Sequence, residues 1–147
     1  MSNFNNKEQD PIMNKLICRV MIDGKRSRAE SIILSTLQKI SNASKTPVRQ
    51  VIMKALLNVC PIIEVKSLRV GGGAFQVPFP ISKNKQLSVG IQWLVKHARS
   101  RPGKSMADRL SREIIDASTG QGASVRTREL QHKLAQANRA FAHFRWY

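Results

Sequence analysis

Prolines and glycines cut this 147-residue chain into segments whose apolar residues recur at helical spacing, which restricts most of it to short amphipathic helices. Asp10-Pro11 supplies an N-cap and a proline at the first helical position, after which Ile12, Met13, Leu16, Ile17, Val20 and Met21 share a face until Asp23-Gly24. Ser27 and Glu30 have capping-box spacing and open a second helix striped by Ala29, Ile32, Ile33, Leu37 and Ile40. The tight joint at Gly24 makes the two an antiparallel pair. Thr46-Pro47 starts a third helix, with Val48, Val51, Ile52, Ala55, Leu56 and Val59 inward until Pro61 ends it. Leu87, Ile91, Leu94, Val95 and Ala98 mark a fourth, closed by Arg101-Pro102-Gly103. Ser105 to Ser118 make a fifth, with Met106, Leu110, Ile114 and Ile115 inward. After the loop Gly120-Gln121-Gly122, a sixth runs from about Thr127 through Leu130, Leu134, Ala137 and Phe141.

One stretch breaks the helical period. Residues 64–79, EVKSLRVGGGAFQVPF, alternate with period two on either side of Gly71, Gly72 and Gly73, the pattern of a β-hairpin arm over about 62–82. A lone two-stranded ribbon is marginal in water, and Pro78 and Pro80 exclude a central strand, so the arm must dock. Phe75, Val77, Phe79 and Ile81 share one face and would pack on the helices, leaving Arg69 and the glycine tip outward. Three glycines permit close approach of another backbone, and equally they simply permit a turn. The expectation is a mainly α fold, a bundle of about six helices with one protruding β-hairpin. It forms a single domain over 10–147 behind a short flexible tail, 1–9.

Charge limits the function. Twenty-five Lys and Arg against nine Asp and Glu give +16, and between Ser31 and Ala107 Glu64 is the only acid among twelve cations. Internal pairing cannot neutralise that half, so the partner is polyanionic, nucleic acid or an anionic membrane surface. No apolar run approaches the ~20 residues of a spanning helix, and MSNFNNKEQ has neither a signal-peptide core nor transit-peptide character. Cys18 and Cys60 lie in apolar helical patterns without metal-ligand spacing, and are expected to be buried free thiols in a reducing compartment. Basic clusters fall at element ends: Lys25, Arg26 and Arg28; Lys83 and Lys85; Arg99, Arg101 and Lys104; Arg126 and Arg128. Any one of them reads equally as a solvated surface or a helix C-terminal cap, but four together suit an RNA backbone.

Catalysis finds no footing. ARSRPGKS, residues 98–105, meets only the loosest phosphate-loop pattern, and it follows a helical segment where that mechanism needs a strand. The acids are scattered, and His97, His132 and His143 lack ligand spacing, so no enzyme, metal or cofactor is expected. Trp93 sits beside the fourth stripe and is read as core. Phe144, Trp146 and Tyr147 form an aromatic end that either meets a partner protein or tucks back. A free nucleic-acid-binding regulator or architectural protein is the alternative class, although no helix concentrates base-reading residues.

DGKRSRAESI (23–32), NVCPIIEVKSLRVGGGAFQVPFPI (58–81) and ANRAFAHFRWY (137–147) resemble, in order and spacing, the signatures of small-subunit ribosomal protein seven. The resemblance implies binding to the 3′ major domain of small-subunit rRNA and initiation of head assembly. It also implies a hairpin directed toward the messenger exit path and the exit-site tRNA, and a C-terminal region near a neighbouring platform protein. Carried over by position, Lys25, Arg26, Arg101, Lys104, Arg126 and Arg128 would touch rRNA. The arm would contribute Lys66, Arg69 and Gln76 with Gly71, Gly72 and Gly73 at its tip. Leu68 stands where the family often has arginine, Thr127 interrupts a usual basic run, and the arginine-rich N-terminal arm of many members is missing. The divergent, targeting-free chain and its FAHFRWY ending suggest an organellar ribosome, with mitochondrion ahead of plastid and a bacterial cytoplasm as the other choice.

Overall fold

The computed structural model describes residues 11–146. The expected tail 1–9, the Asp10 cap and Tyr147 lie outside the described residues. In chain order the elements are α1 (Pro11–Val20), α2 (Arg26–Ala43), α3 (Val48–Val59), β1 (Ile63–Val70), β2 (Gly73–Pro80), α4 (Lys83–Ser100), α5 (Met106–Ser118), α6 (Ala123–Ala137) and a 3-10 segment (Arg139–Trp146). This is the expected helical bundle with one hairpin, although its last helix is split in two.

α5 is the axis of the bundle, packed by α2, α3, α4 and α6. That position buries more of it than its apolar stripe implies: Ala107, Ser111, Glu113 and Ala117 join Leu110 and Ile114 inside, while Met106 and Ile115 are half-buried. Ser105 caps its N-terminus, with Oγ accepting from the Asp108 amide. The core adds Leu16, Ile17 and Val20 of α1, Ile33 and Ile40 of α2, five residues of α3 from Val51 to Val59, and Ile91, Leu94, Val95 and Ala98 of α4. α3 and α4 approach closely at Gly90, where an added Cβ would stand 2.7 Å from Cys60 Sγ.

The buried carboxylate of Glu113 joins three helices. Its Oε1 accepts from the Ser124 amide (3.1 Å) and hydroxyl (2.6 Å) in the first turn of α6. Its Oε2 lies 3.3 Å from Arg101 Nη1 at the C-terminal end of α4. Arg101 also pairs with Asp116. Gly122, the N-cap of α6, has φ +101°, and a Cβ there would meet Glu113 Oε1 at 3.3 Å, so the loop fits glycine on both counts.

β1 and β2 pair antiparallel from Ile63↔Pro80 to Val70↔Gly73. The turn is two residues, Gly71 (φ 58°) and Gly72 (φ 87°), rather than three, because Gly73 already pairs as the first residue of β2. Val77 and Ile81 are buried and Phe75 and Phe79 half-buried, as the alternation requires. Pro78, on the opposite face, is buried as well, since the 3-10 segment lies across β2.

Four local expectations are corrected. α2 begins at Arg26, and Glu30 does not reach back to form a capping box because the Arg26 guanidinium holds it at 2.8 Å. Cys18 is exposed, since it lies off the face that α1 turns to α2 and α4; Cys60 is half-buried, and burial pushes its thiol up. α6 starts at Ala123, and its buried residues are Ser124, Val125 and Ala135. Leu130 and Leu134, expected inward, are 67% and 51% exposed, because the Glu113 contact and the docking of Gln131 and His132 on the arm set the rotation of the helix. Phe141 belongs to the 3-10 segment.

Glu113→Ala leaves the buried Ser124 groups without an acceptor, and should lower unfolding free energy by roughly 2–4 kcal/mol. Urea denaturation checks this against Ser124→Ala, which removes only the hydroxyl bond and should cost about 1 kcal/mol. Equal effects would mean the amide contact contributes nothing.

Candidate nucleic-acid interface

A helix N-terminus carries partial positive charge and ordinarily attracts acidic side chains. Here only α5, with Asp108, has an acid in its first turn, while α1, α2, α3, α4 and α6 have none among the described residues. Arg26 and Arg28 open α2, Arg49 opens α3, and Lys83 and Lys85 open α4. These cations oppose the helix dipoles, an arrangement that an external anion relieves.

The predicted cations divide by what the fold has done with them. Arg28, Arg69, Lys83, Lys104 and Arg126 are exposed, and make no ion pair among the described residues. Arg128 is also unpaired there, and its Nε is buried without a hydrogen-bond partner. Lys25 stands 3.7 Å from Asp23, and Arg26 2.8 Å from Glu30. On the arm, Glu64 gathers Lys85 (2.7 Å) and Lys66 (3.2 Å), and Lys66 also lies 5.1 Å from the centre of the Phe79 ring. The Lys85 hydrogen bond, reinforced by Lys66, holds the Glu64 carboxyl below its usual range. Exposed pairs of this kind contribute little, so these four cations can exchange partners.

Arg99 and Arg101 are committed to the fold. Arg99 Nη2 donates to the carbonyls of Arg19 (3.2 Å) and Val20 (3.3 Å), capping the C-terminus of α1. Arg101 serves Glu113 and Asp116. With Arg126 it also lines an open depression of about 670 Å³, bordered by Asp116, Gly120, Gln121, Gly122 and Glu129. ARSRPGKS spans the end of α4 and the joint to α5, with no strand before it. Among the described residues no His, Cys, Asp and Glu cluster could hold a metal, and no helix is long and apolar enough to cross a membrane.

At the tip, a Cβ added to Gly71 or Gly72 would meet nothing within 4 Å, and Arg69 and Gln76 are exposed beside it. The root of the arm is held by α6. His132 Nε2 accepts from the Ile62 amide at 3.2 Å, a contact the helical pattern did not disclose because His132 lies off its apolar stripe. Of the C-terminal aromatics, Phe144 packs on Phe75, Phe141 and His143, whereas Trp146 is 89% exposed. Arg145, absent from the sequence-based candidates, donates to the Pro78 carbonyl at 2.6 Å.

Burial, with Arg128 nearby, lowers the His132 pKa below its ordinary 6.5. The unfolded imidazole therefore takes its proton first. The contact contributes fully above about pH 6.5 and is lost as pH falls through the lower folded value. Protection of the Ile62 amide against hydrogen exchange, corrected for intrinsic rate, should fall between pH 7.5 and pH 5. Protection that does not change would show that the contact does not hold the root.

A family model described as ribosomal protein S7p/S5e matches residues 2–139, ending where the 3-10 segment begins. Small ribosomal subunit protein uS7 of Petrotoga mobilis is 45% identical over 137 residues, covering 93% of this chain and 88% of that protein. The uS7 proteins of Tropheryma whipplei (48% over 136 residues, 92% of this chain and 86% of that protein) and Streptococcus mutans (44% over 142 residues, 93% and 91%) are similar over comparable lengths. These relatives are bacterial and give the organellar expectation no support.

Proposed function

Because the chain belongs to the ribosomal protein S7p/S5e family and is a structural constituent of the small ribosomal subunit, we propose that it binds the 3′ major domain of the small-subunit rRNA and helps nucleate assembly of the head there. It is a ribosomal protein rather than an enzyme. The observation that carries the RNA reading is the unpaired charge: Arg28, Arg69, Lys83, Lys104, Arg126 and Arg128 have no acid among the described residues, in a chain of net charge +16.

Phosphates would take the place of the missing acids, with Arg supplying bidentate donors and Lys point charges. Lys25, Arg26, Lys66 and Lys85 join once they leave their weak surface pairs. Arg99 and Arg101 assist from inside the fold, holding α1 and α6 in place. The arm reaches toward the messenger exit path and exit-site tRNA with Arg69, Gln76 and the open turn at Gly71 and Gly72, next to Gly73. Trp146, with the neighbouring Phe144 and Tyr147, meets an adjacent protein of the subunit. The assembly reading is independent of compartment.

Filter binding of the protein to the 3′ major-domain rRNA and to an unrelated RNA of the same size, across a salt series, tests the proposal. Cognate RNA should win by orders of magnitude, with log affinity falling steeply against log salt. Equal binding of both RNAs would reduce the interaction to bulk charge and refute specific anchoring. Arg126→Glu should flatten the salt slope by about one. Arg69→Glu should weaken RNA binding with no change in melting temperature, since an exposed tip charge contributes little to stability. A large drop in melting temperature would instead mark Arg69 as structural.

A further inference from the structure

The 3-10 segment buries none of its own residues, yet it forms the outer wall of the arm. Phe141 and Phe144 stack on each other (centroids 6.2 Å apart, planes within 11°), and both meet Phe75 of β2, at 5.3 and 5.0 Å. Phe75 in turn lies against Gly73, the first residue of β2, where an added Cβ would stand 3.0 Å from its ring. Nearer the root, Arg145 Nε holds the Pro78 carbonyl at 2.6 Å. The segment is itself anchored to α6, where the Asn138 amide (3.1 Å) and side chain (2.8 Å) both donate to the Leu134 carbonyl. A continuous path of contacts thus runs from the end of α6 through the aromatic cluster to Gly73, beside the turn.

We infer that Phe141, Phe144 and Arg145 are positioning residues for the hairpin arm, and that the C-terminal 3-10 segment is a strap that sets the angle at which the arm leaves the bundle. An arm of two strands has few contacts of its own to fix that angle. Its root is held by His132 and by buried Val77 and Ile81, but beyond the root the described support comes from the strap. Only Phe141, Ala142 and Phe144 of the strap are half-buried, the rest is exposed and no core residue belongs to it, so the bundle folds without it while the arm swings more widely. Trp146 stands exposed next to Arg145, so a protein seated on that indole would act on the arm through the Arg145 contact with Pro78. The functional consequence rests on the reading of the arm as an RNA contact; the mechanical one does not.

The test uses the full-length chain in a Cys18→Ser, Cys60→Ala background, with spin labels at Ala74→Cys near the tip and Ser41→Cys on α2, both exposed positions. Phe144→Ala and Arg145→Ala should each widen the tip-to-bundle distance distribution, roughly twofold, with helical circular dichroism and the main melting transition unchanged. Phe144→Leu, which restores apolar volume, should return most of the narrow distribution. A distribution that stays narrow in both alanine variants overturns the inference, as does widening that appears only together with loss of bundle helicity. In unlabelled protein, Phe144→Ala should weaken binding to the 3′ major-domain rRNA by roughly threefold or more, on the scale of one lost aromatic pair. Widening without loss of affinity would uphold the strap and remove the arm from the RNA interface.

Discussion

A single buried carboxylate decides how this molecule is put together. Glu113 sits 2% exposed on the central helix, with Ser124 on one oxygen and Arg101 on the other. It caps α6 from outside that helix, where the Gly122 N-cap has no side chain to do so. Since α6 holds the root of the arm through His132 and Gln131, the place of that root is inherited from a contact made deep in the bundle. Such a carboxylate is tolerated in the interior because every partner it needs is present.

Much of this was legible from residue order. α1 to α5 were readable because proline, glycine and Ser105 punctuate them and their apolar periods are strong, and the arm was readable because period two is hard to confuse with period 3.6. α6 was not. Its leucines carry the period that suggests an inward stripe, but a polar contact at Ser124 and a histidine at position 132 determine which face turns in, and neither leaves an apolar signature. Cys18 misled for the same reason, since apolar neighbours in sequence do not specify on which side of a short helix a residue falls. For the cations, sequence located the clusters but could not distinguish Arg101, used by the fold, from Arg126, left to solvent. That distinction depends on acids 12 and 15 residues away along the chain.

The placement of charge reads as a fold that tolerates local repulsion for the sake of a partner. Lys and Arg in the first turns of α2, α3 and α4 face the positive ends of helix dipoles, where each is unfavourable by a few tenths of a kcal/mol or more at low salt. The same turns present backbone amides, so cation and helix end together form an anion-attracting surface. Among the described residues the one helix with an acidic first turn, α5, starts in a contact already satisfied within the chain, where Asp108 accepts from Lys39 and Ser105 and its carboxyl is pulled down to about 2.

The prolines of β2 have a further consequence for the protein before it is assembled. Among the described residues the hairpin has no third strand, and the outer edge of each strand of such a ribbon is one onto which another extended chain could hydrogen-bond, the usual seed of β-aggregation. Pro78 and Pro80 remove two donors from that strand, and Arg145 occupies the carbonyl of Pro78. The outer edge of β2 cannot be copied by a second molecule over its lower half. That stretch of the arm is therefore blunted against strand addition in the chain before assembly.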